Sequence, residues 1–180
     1  MFLGFALILS ASYFKYGGIE YLKTHTPDYA FEIPGNFNWT FIFVWGFIAL
    51  ITFIDPGFYQ RTFAGNSLKT VQKGIIISVL FWVVFDFMTV FTGLYALAIL
   101  PPGSESPYLD LAQQVLPPLA QGLFIVSLFS IVMSTVDSFS FISAFTIGKD
   151  LASFLWPSLN DKEILLYTRW GLLITAILSI

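Results

Sequence analysis

Long apolar runs separated by short polar connections dominate the chain. The run from Gly74 to Leu100 holds one charge in 27 residues, and the run from Leu119 to Gly148 holds one charge in 30. About 20 apolar residues in a helix suffice to cross a bilayer, so both runs predict transmembrane helices. Three shorter apolar runs accompany them. The pattern predicts about five transmembrane segments, at about residues 1–14, 39–54, 74–100, 119–148 and 164–180.

The runs are continuous and do not alternate, which favours helices over the strands of a membrane barrel. The predicted fold class is therefore all-α and integral to the membrane. The first and last runs are shorter than a span, so we expect the chain to be a fragment whose terminal helices are cut. The first run, Met1–Phe14, could instead be a secretory signal or an anchor, although it lacks the basic start of such signals.

Lys15 and Lys23 lie with Glu20, Asp28 and Glu32 in the first connection, which we predict to be external. Five further bases lie in two other connections, after the second segment and after the fourth. These bases are Arg61, Lys69, Lys73, Lys149 and Lys162. Since Lys and Arg stay on the cytoplasmic side, they predict a multi-pass protein of the plasma (inner) membrane, with the base-free connection 101–118 outside. Within that connection, the apolar spacing of Tyr108–Leu116 predicts a short surface helix over the outer face.

The composition agrees with a lipid environment. Hydrophobic residues make up 57% of the chain, charged residues 11%, and the mean hydropathy is +0.80. There is no cysteine, and we expect the single histidine, His25, to stand in a loop, with no carboxylate partner implied. The sequence has no His or Cys metal cluster, no Gly-rich phosphate loop and no basic patch for nucleic acid. We therefore expect no enzyme activity, no cofactor and no nucleic-acid partner.

One face of the fourth segment is polar near the middle of the membrane. On a helix that turns about 100° per residue, Ser127, Ser130, Ser134, Asp137 and Ser138 fall within an arc of about 100°. Serine and threonine in membrane helices often bond back to the carbonyl four residues earlier, which is the interpretation we favour for Ser127, Ser130, Ser140 and Ser143.

The centre of this face suggests a cation site. The hydroxyls of Ser134 and Thr135 are adjacent, and the carbonyl of Ile131 lies about one turn earlier. Hard cations take oxygen ligands, and transporters place coupling ions near the midplane between helices. Ile131, Ser134 and Thr135 could supply three oxygens to a small monovalent ion, and another helix would have to supply the rest.

Two carboxylates, Asp86 and Asp137, lie inside the apolar runs. A carboxylate at the centre of a membrane helix costs about 2.5–3.5 kcal/mol even on insertion scales. Every Lys and Arg lies in a loop or at a segment end, so the acids require protonation, a cation or a partner on helices outside this chain. For Asp137, a structural hydrogen-bonding role and a place on an ion path both stay open.

Two blocks of the sequence resemble the sodium:solute symporter family. The block "DPGFYQRTFAGNSLKTVQKGI" (Asp55–Ile75) is similar to the family's cytoplasmic loop with its Gln-Arg pair, here Gln60 and Arg61. The block "LFSIVMSTVDSFSFISAFTIGKDL" (Leu128–Leu151) is similar to the family helix that runs from a Met-Ser-Thr centre to an acidic inner end. The second block is the more specific, and together the two make the resemblance span nearly the whole chain.

The resemblance implies a fold, a site and partners. The implied fold has two inverted five-helix repeats with alternating access, of which this chain would cover the end of core helix five through part of core helix nine. The hydroxyls of Ser134 and Thr135, with the main-chain oxygen of Ile131, would form half of a sodium site, and the first core helix would supply the other half. The implied partners are the coupling sodium ion, a small organic solute, the lipid bilayer and the missing helices of the same transporter.

Four residues are candidates for the substrate cavity. Where sugar-carrying relatives place polar contacts, this sequence has Ile48, Ile51 and Trp82, so a sugar is less expected. Trp82 and Trp45 could line a cavity for a partly apolar solute, although large aromatic rings more often serve packing.

Together these features lead us to expect a secondary active transporter that couples sodium entry to the uptake of a small organic solute. One alternative is a transporter-like sensory or regulatory membrane module, and another is a proton-coupled carrier that uses Asp86 or Asp137. A membrane-embedded enzyme is disfavoured because no nucleophile with a base can be assembled from these residues.

Overall fold

Helices account for the regular structure throughout the described part of the chain. The computed structural model describes residues 1–179, with the backbone alone at Arg61, and these residues contain no strand. The α-helices are α1 (Phe2–Tyr16), α2 (Ile19–His25), α3 (Trp39–Ala49), α4 (Pro56–Phe63), α5 (Leu68–Ile99), α6 (Pro107–Val115), α7 (Pro118–Phe145), α8 (Ala152–Leu155) and α9 (Asp161–Leu178). Two 3₁₀ turns, Asp28–Phe31 and Leu50–Phe53, and a π-helical turn, Thr146–Leu151, complete them. The all-α class is confirmed.

Three helical stretches within residues 1–179 are long and apolar enough to cross a membrane, namely Trp39–Gln60, Leu68–Ile99 and Pro118–Leu155. Helices α1 and α2 pass the same test as a pair bent by 77°, which would make a fourth, broken span. Helix α9 lies where the fifth segment was predicted, and its four charged residues keep it out of this group. The final position of that predicted segment, Ile180, lies outside the described residues. The count of five spans stays a prediction.

Polar side chains in the connections fix where several helices begin. Asn38 Oδ1 accepts a hydrogen bond from the Phe41 amide at 2.8 Å and so caps α3. The Asn160 side chain caps α9. The Asn160 amide in turn donates a hydrogen bond to Glu163 Oε2 at 2.8 Å, which completes a capping box. These caps satisfy amides that the first helical turn leaves without partners, so each helix starts where its polar connection ends.

A hydrophobic core joins the outer ends of α1, α5, α6 and α7. Phe5 of α1 is buried and makes edge-to-face contacts with Phe85, Tyr108 and Phe124, with ring centroids 5.3, 5.5 and 5.5 Å apart. Such aromatic pairs add about 0.5–1.5 kcal/mol each beyond the apolar area that they bury. The core therefore holds the outer half of α7 firmly against α1.

The predicted surface helix is confirmed as α6, which packs on α1, α5 and α7. Lys15 Nζ donates to the Gln114 carbonyl at 2.6 Å, and Gln121 Nε2 donates to the Leu116 carbonyl at 2.8 Å. The Tyr108 hydroxyl donates to the Thr89 carbonyl at 3.3 Å, and burial raises the pKa of this phenol. Hydrogen bonds at its edges and apolar contacts beneath it thus hold α6 over the outer core.

At the other end of α7, the π-helical turn and α9 approach one another through glycines. A Cβ added at Gly148 would lie 2.2 Å from both the Cα and the backbone nitrogen of Thr168. A Cβ at Gly171 would lie 2.9 Å from the Ala144 carbonyl oxygen and 3.1 Å from the Cβ of Ile147. Only glycine fits at these two positions. The backbone of α9 therefore packs directly against the end of α7 and the π-helical turn.

Candidate functional site

The middle of α7 keeps its helical hydrogen bonds while its hydroxyls fold back onto the same helix. Ser127 Oγ donates to the Leu123 carbonyl at 3.0 Å, and Ser130 Oγ donates to the Val126 carbonyl at 2.8 Å. The predicted back-bonding is confirmed at Ser127 and Ser130, whereas in the described part of the chain Ser140 and Ser143 form no such bond. Back-bonding leaves Ser127 and Ser130 satisfied within their own helix, as serine usually is in a membrane span.

All three predicted cation ligands belong to α7, and the oxygens of two of them, Ile131 and Thr135, lie within hydrogen-bond distance of each other. Thr135 Oγ1 donates to the Ile131 carbonyl, and the two oxygens are 3.1 Å apart. The Ser134 hydroxyl belongs to the neighbouring residue, and the Ser134 carbonyl accepts the Ser138 hydroxyl at 3.0 Å. The i, i+4 spacing of an α-helix places Ile131 directly below Thr135, which explains why these two oxygens meet.

This part of α7 is uncovered on every side. All six residues from Val132 to Asp137 are exposed among the described residues, and six residues cover more than one full turn of an α-helix. Ile131, just before them, is partly buried against the outer core. The two candidate hydroxyls therefore stand immediately beyond the edge of the packed outer half of α7.

The two intramembrane acids are also exposed in the described part of the chain. Along the sequence, the base nearest to Asp86 is Lys73, 13 residues away, and the base nearest to Asp137 is Lys149, 12 residues away. On a helix these separations correspond to about 20 and 18 Å. No group of three or more His, Cys, Asp or Glu side chains that could hold a metal forms among residues 1–179. Neither acid therefore belongs to a carboxylate cluster of the kind that binds divalent metals.

The four candidates for a substrate cavity divide into two sets. Ile48 and Ile51 line a shallow depression of about 540 Å³, open to the outside and formed by exposed side chains, at the junction of α3 with the following 3₁₀ turn. Trp45 on α3 and Trp82 on α5 are exposed, and neither lines that depression. The lining is otherwise made of Val44, Phe47, Leu50 and Ile54. An entirely apolar lining suits the hydrocarbon part of a solute and offers no side chain for a polar one.

Two features of the site region were not predicted from the sequence. The π-helical turn Thr146–Leu151 interrupts the end of α7, and π-helical turns inside helices frequently occur at functional sites. Helix α4 was also missed, although its signal was present: Asp55 accepts from the Gly57 amide at 2.8 Å, and Pro56 occupies the first helical position. An Asp-Pro pair is a typical helix start.

Comparison with known protein families accounts for this arrangement. The model of the sodium:solute symporter family matches residues 34–180, about four fifths of the chain. The chain belongs to the sodium:solute symporter family. The match includes every candidate ligand, acid and cavity residue, whereas α1 and α2 precede it. No curated protein and no solved structure matches the chain.

Family membership, together with the three long apolar helices, identifies the chain as belonging to an integral membrane transporter. The resemblance read from the Met-Ser-Thr and Gln-Arg blocks is thereby confirmed. The coupling ion and the solute are inferred below.

Proposed function

We propose that this symporter-family chain couples sodium entry to the uptake of a small organic solute, and that Ile131, Ser134 and Thr135 form one half of its sodium site. The observation that carries the proposal is the family match over these three residues together with their place at the uncovered middle of an apolar helix; Thr135 Oγ1 and the Ile131 carbonyl oxygen lie 3.1 Å apart there, a back-bond of the kind that Ser130 also makes. Membership of a sodium symporter family supports the same ion.

The spacing of the pair suits a small hard cation. Oxygens bound to one such ion at about 2.4 Å are about 3–3.5 Å apart when their bonds meet near a right angle. Thr135 Oγ1 and the Ile131 carbonyl oxygen lie 3.1 Å apart, within this range. Binding therefore requires the Thr135 hydroxyl to turn its proton away from the carbonyl, and it requires little movement of the backbone.

The coupling follows from a site that two helices share. In this proposal α7, whose two ends are packed against other helices, supplies half of the ligands. Helices beyond this chain supply the other half. An ion bound between them stabilises the arrangement in which both halves meet, and so favours the state that accepts the solute. Rocking of one bundle against the other separates the halves and releases both cargoes to the cytoplasm.

For the solute, we place its apolar part against the open depression lined by Ile48 and Ile51, with Trp45 on the same helix and Trp82 of α5 as further candidate aromatic contacts. The depression measures about 540 Å³ and its lining is apolar, so other helices would have to close it around a small organic molecule. Sites for small molecules are mostly apolar, with few polar groups to orient the ligand. A carboxylate or amino group of the solute would therefore contact helices outside this chain.

The test is the sodium dependence of uptake by the complete transporter in proteoliposomes, with a panel of radiolabelled monocarboxylates, amino acids and sugars. Ser134→Ala combined with Thr135→Ala should raise the half-saturating sodium concentration at least about tenfold, which corresponds to about 1.4 kcal/mol of lost binding. Ser130→Ala is the matched control, because it removes a back-bonded hydroxyl one turn away on the same helix.

Two results would contradict the proposal. If the double variant takes up solute with an unchanged sodium requirement, the hydroxyls of Ser134 and Thr135 are not sodium ligands. Uptake that follows the pH gradient, ignores sodium and is lost in Asp137→Asn would select the proton-coupled alternative.

A further inference from the structure

Helix α4 presents an aromatic surface beside the inner end of the bundle. Phe58, Tyr59 and Phe63 are exposed and fall within an arc of about 140° on the helix, and Phe63 is 84% exposed. The rings of Tyr59 and Phe63 stack with centroids 6.2 Å apart, and the Tyr59 hydroxyl donates to the Phe53 carbonyl at 2.6 Å. These bonds hold the aromatic face in one orientation.

Two glycines place α4 between its neighbours. A Cβ at Gly57 would lie 3.2 Å from Ile142 Cδ1, so the start of α4 packs against the last turns of α7. A Cβ at Gly65 would lie 2.3 Å from Val71 Cγ2, so the connection after α4 folds onto the first turns of α5. The aromatic face therefore ends next to the N-terminal turns of α5.

Those turns carry positive charge. From Pro56 to Phe85 the sequence contains three bases and no acid. Two of the bases, Lys69 and Lys73, are exposed and lie four residues apart, so they share one face of α5. The third, Arg61, lies in α4.

The depth of these lysines matches the lipid headgroups. Lys73 precedes Asp86, near the middle of its apolar run, by 13 residues, or about 20 Å along the helix. Half of a bilayer measures about 15 Å without its headgroups and about 20–22 Å with them. Lys73 thus lies at headgroup level, whereas the backbone of Lys69, about 26 Å from Asp86, lies a few Å beyond it, so that its long side chain must reach back to the headgroups.

We propose that the aromatic face of α4 and the lysine face of α5 together form a binding surface for anionic phospholipid headgroups of the cytoplasmic leaflet. The aromatic rings occupy the boundary between headgroups and acyl chains, as amphipathic interfacial helices do, and the two lysines bind the phosphates. The surface is independent of the sodium site, because none of its residues contributes a ligand there.

The experiment measures the local enrichment of anionic lipid. The chain contains no cysteine, so Asn66→Cys, in the exposed connection between α4 and α5, introduces a single thiol for a fluorophore. The labelled chain is placed in nanodiscs that contain the same minor fraction of brominated phosphatidylglycerol or of brominated phosphatidylcholine. Stronger quenching by the brominated phosphatidylglycerol reports binding of the anionic headgroup.

The proposal expects this preference to fall about five- to thirty-fold in Lys69→Gln with Lys73→Gln, from the energy that each base gains beside an anionic leaflet. The matched control is Lys23→Gln with Lys162→Gln, which changes the net charge equally and leaves both faces intact. It should retain the preference.

Equal quenching by the two lipids in the unsubstituted chain would overturn the proposal, as would an equal loss in the control. Soluble glycerol phosphate should not reduce the preference. A reduction by millimolar amounts would assign the lysines to a soluble anion and would also overturn it.

Discussion

The two ends of α7 are held by opposite means. At the outer end, large rings fill the space between helices: Phe124 is fully buried and lies 5.5 Å from Phe5 between ring centroids. At the inner end, no side chain separates the helices, because the backbone at Gly148 lies directly against the backbone of Thr168. Between these ends, the six residues 132–137 are uncovered among the described residues.

This difference shows how one helix can be both rigid and open. Ring packing tolerates small rearrangements of side chains, whereas a backbone contact at a glycine tolerates almost none, because there is no flexible group to move. Both ends restrain α7 while its polar middle remains available to other helices, lipid or ions. In the proposed function, residues 132–137 form the side of the sodium site that does not move.

The largest effect is expected from breaking the outer end. Phe124→Ala should destabilise the chain by about 3–5 kcal/mol, because it removes a buried ring from a core that can collapse only in part. The control is Phe129→Ala, on the same helix but 63% exposed. Thermal unfolding in lipid nanodiscs should separate the two variants clearly, and equal midpoints would show that the outer core does not hold α7.

At the inner end, Gly148→Ala should cost about 1–3 kcal/mol, because the new methyl group meets the backbone of Thr168 and forces α7 and α9 apart. Gly122→Ala is the matched control, since a Cβ at Gly122 meets nothing within 4 Å on the same helix. The control should be neutral or slightly stabilising, by up to about 1 kcal/mol. If both alanine variants unfold at the same temperature, the glycine contact does not restrain the inner end.

A smaller effect should refine the description of the outer end. Lys15→Met removes the hydrogen bond to the Gln114 carbonyl and should loosen α6 by at most about 1 kcal/mol, since the lysine is exposed. Amide hydrogen exchange should then accelerate in α6 and stay unchanged in α9. Lys23→Met, which removes an exposed lysine from neighbouring α2, is the control, and acceleration there of equal size would contradict the role of the Lys15 bond.

Much of the helical framework could be predicted from the hydrophobic pattern, and the reasons are physical. An apolar run as long as 119–148 in lipid must satisfy its backbone internally, so the helix that became α7 followed directly. The bonds of Ser127 and Ser130 to the preceding turn followed as well, because they depend on the local helix alone. Helix α6 was predicted from its apolar spacing.

The remaining features depend on contacts that no local pattern encodes. The π-helical turn Thr146–Leu151 lies where the apolar run of α7 gives way to Lys149 and Asp150, and no residue pattern there distinguishes a π-helical turn from an ordinary helix end. Gly148 acquires its role only when Thr168 of another helix lies against it. For the candidate site, the i, i+4 relation of Ile131 and Thr135 was predictable, but the uncovered state of residues 132–137 depends on which helices pack there.

The most direct test of the central claim is equilibrium binding of ²²Na⁺ to the purified complete transporter with and without Thr135→Val. Valine keeps the shape of threonine and removes only Oγ1, so the account predicts sodium affinity at least about tenfold weaker, or about 1.4 kcal/mol. Ser130→Ala should bind as the unsubstituted protein does. A Thr135→Val isotherm that superimposes on the unsubstituted one would contradict the assignment of sodium to α7.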